Sequence, residues 1–243
     1  MPDNKAIYHA DLTAPPTPPA PRVLLPVDNA DISIREVRYN NKSLTRELFE
    51  TILITVLIFL AVQAVVQNRR VEGSSMEPTL HGSVGNEEFL LIDKLSYMRW
   101  NQTPLANLFQ NTATPPGYVM GAGPQRGDIV VLHPPVDSRD YIKRIVALEG
   151  ETVQVKQYDG VYIDGVRIEE PYVKDTPDYN YGPYKVPADN VFVLGDNRRN
   201  SSDSHAWGAL KTEEIVGKAW FSYWPRDDWG LLPHPSYAEF DQK

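Results

Sequence analysis

The chain has 243 residues, 42% of them hydrophobic, with 21 prolines and a formal net charge of −8. That acidity argues against nucleic acid as a main partner. The lack of cysteine excludes disulfides, thiolate nucleophiles and cysteine-held metals together.

Residues 1–47 read as a largely disordered, Pro-rich tail. The run Ala14-Pro15-Pro16-Thr17-Pro18-Pro19-Ala20-Pro21 favours extended polyproline-like backbone and offers little side chain to bury. From Leu48 to Val66 the sequence turns apolar, with Glu50 its one charge. At about 1.5 Å per residue this stretch spans roughly 28 Å, close to the ~30 Å hydrocarbon core of a bilayer. It is apolar all round, unlike an amphipathic surface helix. It starts well inside the chain, and no small-x-small cleavage site follows it. Residues 48–67 are therefore expected to stay as a transmembrane anchor. Arg35, Arg38, Lys42 and Arg46 precede it, against Arg69 and Arg70 after it. This excess puts the tail on the cytoplasmic side and residues 68–243 outside.

Just past the anchor comes Val71-Glu72-Gly73-Ser74-Ser75-Met76-Glu77-Pro78-Thr79-Leu80. Gly73 allows a tight bend, and Pro78 keeps the segment out of a helix interior or central strand. A serine on such a bend is often a simple turn or cap. It can also present its hydroxyl and backbone N–H to a substrate. Ser75 follows Val66 by only nine residues, so chemistry there would occur near a membrane surface.

The remainder alternates short apolar runs with tight turns. Strands are expected within 87–93, 128–132, 141–148, 153–155, 161–163, 191–194 and 219–223. Asp164-Gly165 should close a hairpin over Val161–Ile168. The pattern predicts a mainly β domain, with residues 100–125 as a long polar loop. Trp220, Tyr223, Trp224 and Trp229 could belong to the core or to a membrane-facing patch.

A serine nucleophile needs a proton acceptor. None of the histidines outside the tail sits in a pattern that marks a base. Lys143 does, within Tyr141-Ile142-Lys143-Arg144-Ile145-Val146-Ala147. On a strand it shares a face with Ile145 and Ala147. Burial there would disfavour the ammonium and lower its pKa. Gly195 to Gly208 follows a strand-like run and is dense in hydrogen-bonding side chains. It lacks the glycine and terminal glutamate of a calcium loop, and reads as support for an active-site group.

Taken together, Gly73–Leu80, Arg126–Val130, Tyr141–Arg144 and Gly195–Ser204 resemble the motifs of bacterial type I signal peptidases, in that order and behind an anchor. The resemblance covers roughly residues 48–224. It implies a membrane-bound serine endopeptidase that removes signal peptides from exported preproteins, cutting after small residues of the Ala-x-Ala type. It implies a β-rich catalytic domain, no cofactor and no metal. By motif position Ser75 would be the nucleophile and Lys143 the general base. Ser201 would orient the lysine, Asp196 and Asp203 would support it, and Arg144 would pair with Asp196. Met76, Tyr141 and Ile142 fall where the family's substrate cleft lies.

The chain departs from the family pattern at two positions. Gly73 stands where some members carry an oxyanion-binding hydroxyl, which leaves backbone N–H groups, at Ser75 and Gly73, for that task. His205 stands where arginine is common. A self-cleaving domain of the SOS-repressor type, or an anchored β domain that only binds exported chains, would share parts of the pattern. The anchor argues against the first, and cleavage of a preprotein in trans would exclude the second.

Overall fold

The computed structural model describes residues 44–99, 118, 123–235, 237 and 240. The Pro-rich tail and nearly all of the 100–125 loop lie outside these residues. The chain divides into two units, Met1–Arg46 and Glu47–Lys243, and the described structure is almost wholly the second.

Helix α1 spans Leu44–Val65 and buries none of its residues. At about 33 Å it is long and apolar enough to cross a membrane. Its threonines satisfy their hydroxyls internally: Thr51 Oγ1 donates to the Glu47 carbonyl and Thr55 Oγ1 to that of Thr51, each at 2.8 Å. The helix begins four residues before the expected span. It also ends earlier, because Val66 already pairs with Asp93, and Gln67 with Ile92, as strand β1.

Strands then follow in chain order: β1 (Val66–Arg70), β2 (Gly82–Ser83), β3 (Asn86–Glu87), β4 (Phe89–Asp93), β5 (Ile129–Leu132), β6 (Tyr141–Ala147) and β7 (Thr152–Lys156). After these come β8 (Gly160–Ile163), β9 (Val166–Arg167), β10 (Tyr181–Lys185), β11 (Asn190–Leu194), a one-turn helix α2 (Ser204–Trp207), β12 (Leu210–Lys211), β13 (Ile215–Trp224) and β14 (Gly230–Leu231). All described pairings are antiparallel. Among the described residues the main sheet has eight strands in the order β1-β4-β13-β5-β6-β11-β12, with β14 beside β13. A second sheet runs β10-β7-β8-β9. The expected hairpin is β8–β9. Asp164 and Gly165 take φ of 49° and 82°, the left-handed pair that a two-residue turn needs.

Two clusters hold the main sheet. Met76, Leu80, Leu90, Ile92, Ile129 and Val131 form one, and Val130, Leu132, Ile145, Val191 and Val193 the other. The second sheet packs its valines and isoleucines against Val146, Ala147, Phe192 and Leu194. Strand β6 is thus buried on both faces. Trp220, Trp224 and Trp229 stand exposed, so they are not core, whereas Tyr223 is half-buried against Phe89.

Candidate active site

The bend after β1 is pinned at both ends. Gly73 has φ of +84°, and its N–H donates to the Gly82 carbonyl at 2.9 Å. A side chain there would meet open space, so glycine is required by backbone conformation alone. Downstream, Met76 and Leu80 are almost fully buried. Burying each such side chain stabilises by roughly 1.5–3 kcal/mol, which holds Ser75 against the domain. Met76 therefore acts as an anchor in the core and does not line the cleft expected of it. Its neighbour Ser75 is half-buried.

Strand β6 delivers the partner. Lys143 Nζ donates to Ser75 Oγ at 2.8 Å and to the Ile142 carbonyl at 2.9 Å. Lys143 is 3% exposed. Burial pushes its amine down to about 8 from an ordinary 10.5, while the nearby Asp203 and Asp196 charges pull the other way. Arg144 points to the opposite side of the strand and is fully buried. Its guanidinium makes a two-pronged contact with Asp196, at 2.9 and 2.7 Å, and donates to the Gly127 carbonyl at 2.8 Å. The ring of Tyr172 lies 4.0 Å away, over the guanidinium.

The 195–204 loop closes over the serine bend. Asn197 N–H donates to the Ser75 carbonyl, and Asn197 Nδ2 to that of Ser74, both at 3.0 Å. Asn200 Nδ2 donates to Ser74 Oγ at 2.8 Å. Gly195 is required by contact: a Cβ there would overlap Ser201 Oγ and stand 2.5 Å from the Ser75 carbonyl oxygen. Asp203 caps α2, accepts the Gly195 N–H at 2.9 Å, and meets His205 Nδ1 at 2.7 Å. His205 also stacks on Tyr179, 4.2 Å between ring centres. Arg198 and Glu170 form a second buried two-pronged pair, at 2.6 and 2.5 Å.

Ser75, Lys143, Asp196, Asp203 and Arg144 thus gather in one place. Ser201 lies in the same loop, but its buried Oγ has no hydrogen-bond partner among the described residues. The N–H of Gly73 is committed to Gly82, so Gly73 contributes a bend and no free donor. The Ser75 N–H has no partner among the described residues. Sequence reasoning missed Asn197, Asn200, Arg198 and Glu170. The first three sit in a loop already singled out for its polarity, and that density was the available signal.

A cleft of about 820 Å³ opens beside Ser75 and Lys143. One wall is Arg69–Ser75, and the other is Ser138–Lys143, including Tyr141 and Ile142. Both walls have unused strand edges. β1 is first in the sheet order, with β4 its one partner among the described residues. On its β11 side, β6 is paired only from Arg144 to Ala147. Elsewhere, His81, Glu88 and Asp228 bring ligand atoms within 4.8 Å of one another. Hydrogen bonds from His81 and Ser222 already occupy both Glu88 oxygens.

A cleft walled by β strands and lined by a serine and a buried lysine in contact has the features of a hydrolase. Residues 45–224 match the family of signal peptidases, peptidase S26, and the chain belongs to that family. It is an enzyme of the protease class. It is 38% identical to signal peptidase I of Leptolyngbya laminosa over 79% of this chain and 86% of that one. It is 36% identical to the probable signal peptidase I-2 of Synechocystis over 79% of each chain. A crystal structure of a signal peptidase I from Enterococcus faecalis V583 is 33% identical, covers 39% of this chain and 95% of its own, and has a TM-score of 0.33.

Proposed function

We propose that the chain is a membrane-bound signal peptidase I in which Ser75 is the nucleophile and Lys143 its general base. The observation that carries this reading is the 2.8 Å contact between Ser75 Oγ and a buried Lys143. With its pKa at about 8, roughly a tenth of Lys143 is neutral at pH 7. At an unperturbed 10.5 that share would be about 300-fold smaller. The neutral amine can keep its bond to the Ile142 carbonyl and turn its lone pair to the Ser75 hydroxyl.

The steps follow from these positions. Ser75 Oγ attacks the scissile carbonyl carbon as its proton passes to Lys143 Nζ. The carbonyl oxygen becomes an oxyanion, for which the Ser75 N–H is available. Lys143 then returns the proton to the departing amine, which becomes the new N-terminus of the mature protein. Water, deprotonated by the same lysine, releases the acyl group and restores Ser75.

The substrate is a signal-peptide-bearing preprotein, bound as an added strand between the free edges of β1 and β6. Cleavage follows small residues at the first and third positions before the cut, the Ala-x-Ala type. Helix α1 anchors the enzyme in the cell membrane as a single pass, with residues 1–47 cytoplasmic and the β domain outside. The decisive assay uses full-length protein in detergent and a preprotein with an Ala-x-Ala site. Ser75→Ala and Lys143→Ala should each reduce cleavage by more than a thousandfold while remaining folded. Full activity in Lys143→Ala, with loss in His81→Ala or His205→Ala, would overturn the assignment.

A further inference from the structure

Asn197 grips the serine bend from the 195–204 loop, its N–H on the Ser75 carbonyl and its Nδ2 on that of Ser74. Both residues beside it in the chain are fixed by buried ion pairs. Asp196 is held by Arg144 of β6, the neighbour of Lys143. Arg198 is held by Glu170: Nη1 and Nη2 donate to separate oxygens of the one carboxylate, at 2.6 and 2.5 Å. These two side chains are only 1% and 8% exposed. The remaining nitrogen of Arg198 turns back onto its own loop, Nε donating to the Gly195 carbonyl at 3.1 Å. The Gly195 N–H goes to Asp203, so Gly195 is held by both its backbone polar groups.

Glu170 does not belong to the sheet that carries Lys143. It lies between β9 and β10 of the second sheet, in a segment that reaches the catalytic loop and its flank at further points. The Thr176 carbonyl accepts from Arg199 Nε at 3.0 Å, and the Tyr179 ring stacks on His205. Glu170 is itself fixed in place. Tyr172 OH donates to its Oε1 at 2.9 Å and meets Tyr237 OH at 2.8 Å. A planar guanidinium gripped by two parallel bonds has its direction set as well as its position. Glu170 thereby decides where the Nε edge of Arg198 points. That edge meets Gly195, the residue packed directly against the Ser75 carbonyl. No residue from 169 to 180 lines the cleft.

We propose that Glu170 is a positioning residue for cleavage: through Arg198 it fixes the turn from Gly195 to Asn197, and through that turn the aim of Ser75. This rests on Ser75 being the nucleophile, as proposed above. Arg144 holds the turn on one side of Asn197 only. With the other side released, Asn197 and Gly195 shift, and the Ser75 carbonyl shifts with them. A misplacement of about 1 Å at a reacting group costs roughly a hundredfold in rate. Because Glu170 stands away from the cleft, its loss should appear in kcat and leave KM in place.

The test uses full-length enzyme in detergent and a preprotein with an Ala-x-Ala site. Glu170→Leu/Arg198→Met removes both charges together, so neither is left buried alone. This variant should unfold at a temperature close to that of wild type, yet lose about thirtyfold or more in kcat, with KM within about threefold. Arg198→Lys keeps the charge for Glu170 but lacks the planar fork that also reaches Gly195, and should lose kcat in the same way. A role in folding alone predicts the opposite: kcat of the Leu/Met variant returns with its stability. That result would overturn the proposal, as would a loss confined to KM. Glu170→Asp keeps the charge and draws the carboxylate back by one bond, which decides the matter if the Leu/Met variant does not fold. Folded Glu170→Asp with kcat below about a tenth of wild type supports the positioning role, and kcat above that overturns it. Failure of wild type to cleave the preprotein in a Ser75-dependent way would instead overturn the proposed function.

Discussion

Replacing Lys143 by Met should make the protein more stable while abolishing cleavage. The lysine is 3% exposed, and burial lowers its amine to about 8 from 10.5. A gap of about 2.5 units corresponds to roughly 3 kcal/mol. The sign follows from proton counts. Below pH 8 both folded and unfolded chains hold the proton, and the folded one bears the full cost of a buried ammonium. Between pH 8 and 10.5 the unfolded chain keeps a proton that the folded chain has shed, so stability rises with pH through that window. Methionine fits a similar volume and carries no such cost. Against that, it forfeits the bonds to Ser75 Oγ and the Ile142 carbonyl, each worth about 1 kcal/mol. The net gain at pH 7 should be on the order of 1–3 kcal/mol, shrinking steadily from pH 8 to 10.5. Denaturant unfolding of both full-length proteins in detergent, followed by tryptophan fluorescence, measures the difference. A difference that stays flat from pH 6 to 11 would refute the claim that burial depresses this lysine.

Three further outcomes follow from the same contacts. Asp196→Ala leaves the fully buried Arg144 without its counter-charge and should cost about 3–5 kcal/mol; the pair Arg144→Met/Asp196→Leu should cost less than Asp196→Ala alone, measured by thermal unfolding. Gly195→Ala drives a methyl into Ser201 Oγ and the Ser75 carbonyl, and should lower kcat at least a hundredfold; kcat near wild type would show that the loop does not set the position of Ser75. Asp203→Asn removes the larger of the two charges that raise the Lys143 pKa, so the rising limb of the kcat/KM profile should move to lower pH, even if the maximum falls; a shift to higher pH would contradict the electrostatic account.

Much of this site could be read from the chain because its parts have local signatures. The bend needs Gly73 for its positive φ, and the two-residue hairpin announces itself as Asp164-Gly165. Lys143 stands out as a cation that shares its strand face with Ile145 and Ala147. What escaped depends on contacts between distant segments. Met76 looks, by its place next to Ser75, like a cleft residue; only the fold shows that its side chain enters the cluster with Leu80 and Leu90. The commitment of the Gly73 N–H to Gly82 arises from strand β2, nine residues downstream, which no pattern at Gly73 encodes. Glu170 gives no local sign that it will meet Arg198 across 28 residues. Strand β10, with its Gly-Pro interruption, carries no alternating pattern to mark it.

The two adjacent cations of β6 illustrate how a buried site can be tuned by its surroundings. Lys143 and Arg144 enter the interior side by side, on opposite faces. Arginine cannot give up its proton, so its burial requires a counter-charge, and Asp196 supplies it through both oxygens. Both carboxylates draw Lys143 towards its protonated form, Asp203 more than Asp196. Asp203 is likewise occupied, by the Gly195 N–H and by His205. Burial outweighs both carboxylates at Lys143, and the amine reaches the range where a neutral base exists near pH 8. On the proposed mechanism, the acidic residues of the 195–204 loop matter less as direct partners of the lysine than as charges that must be held by something else.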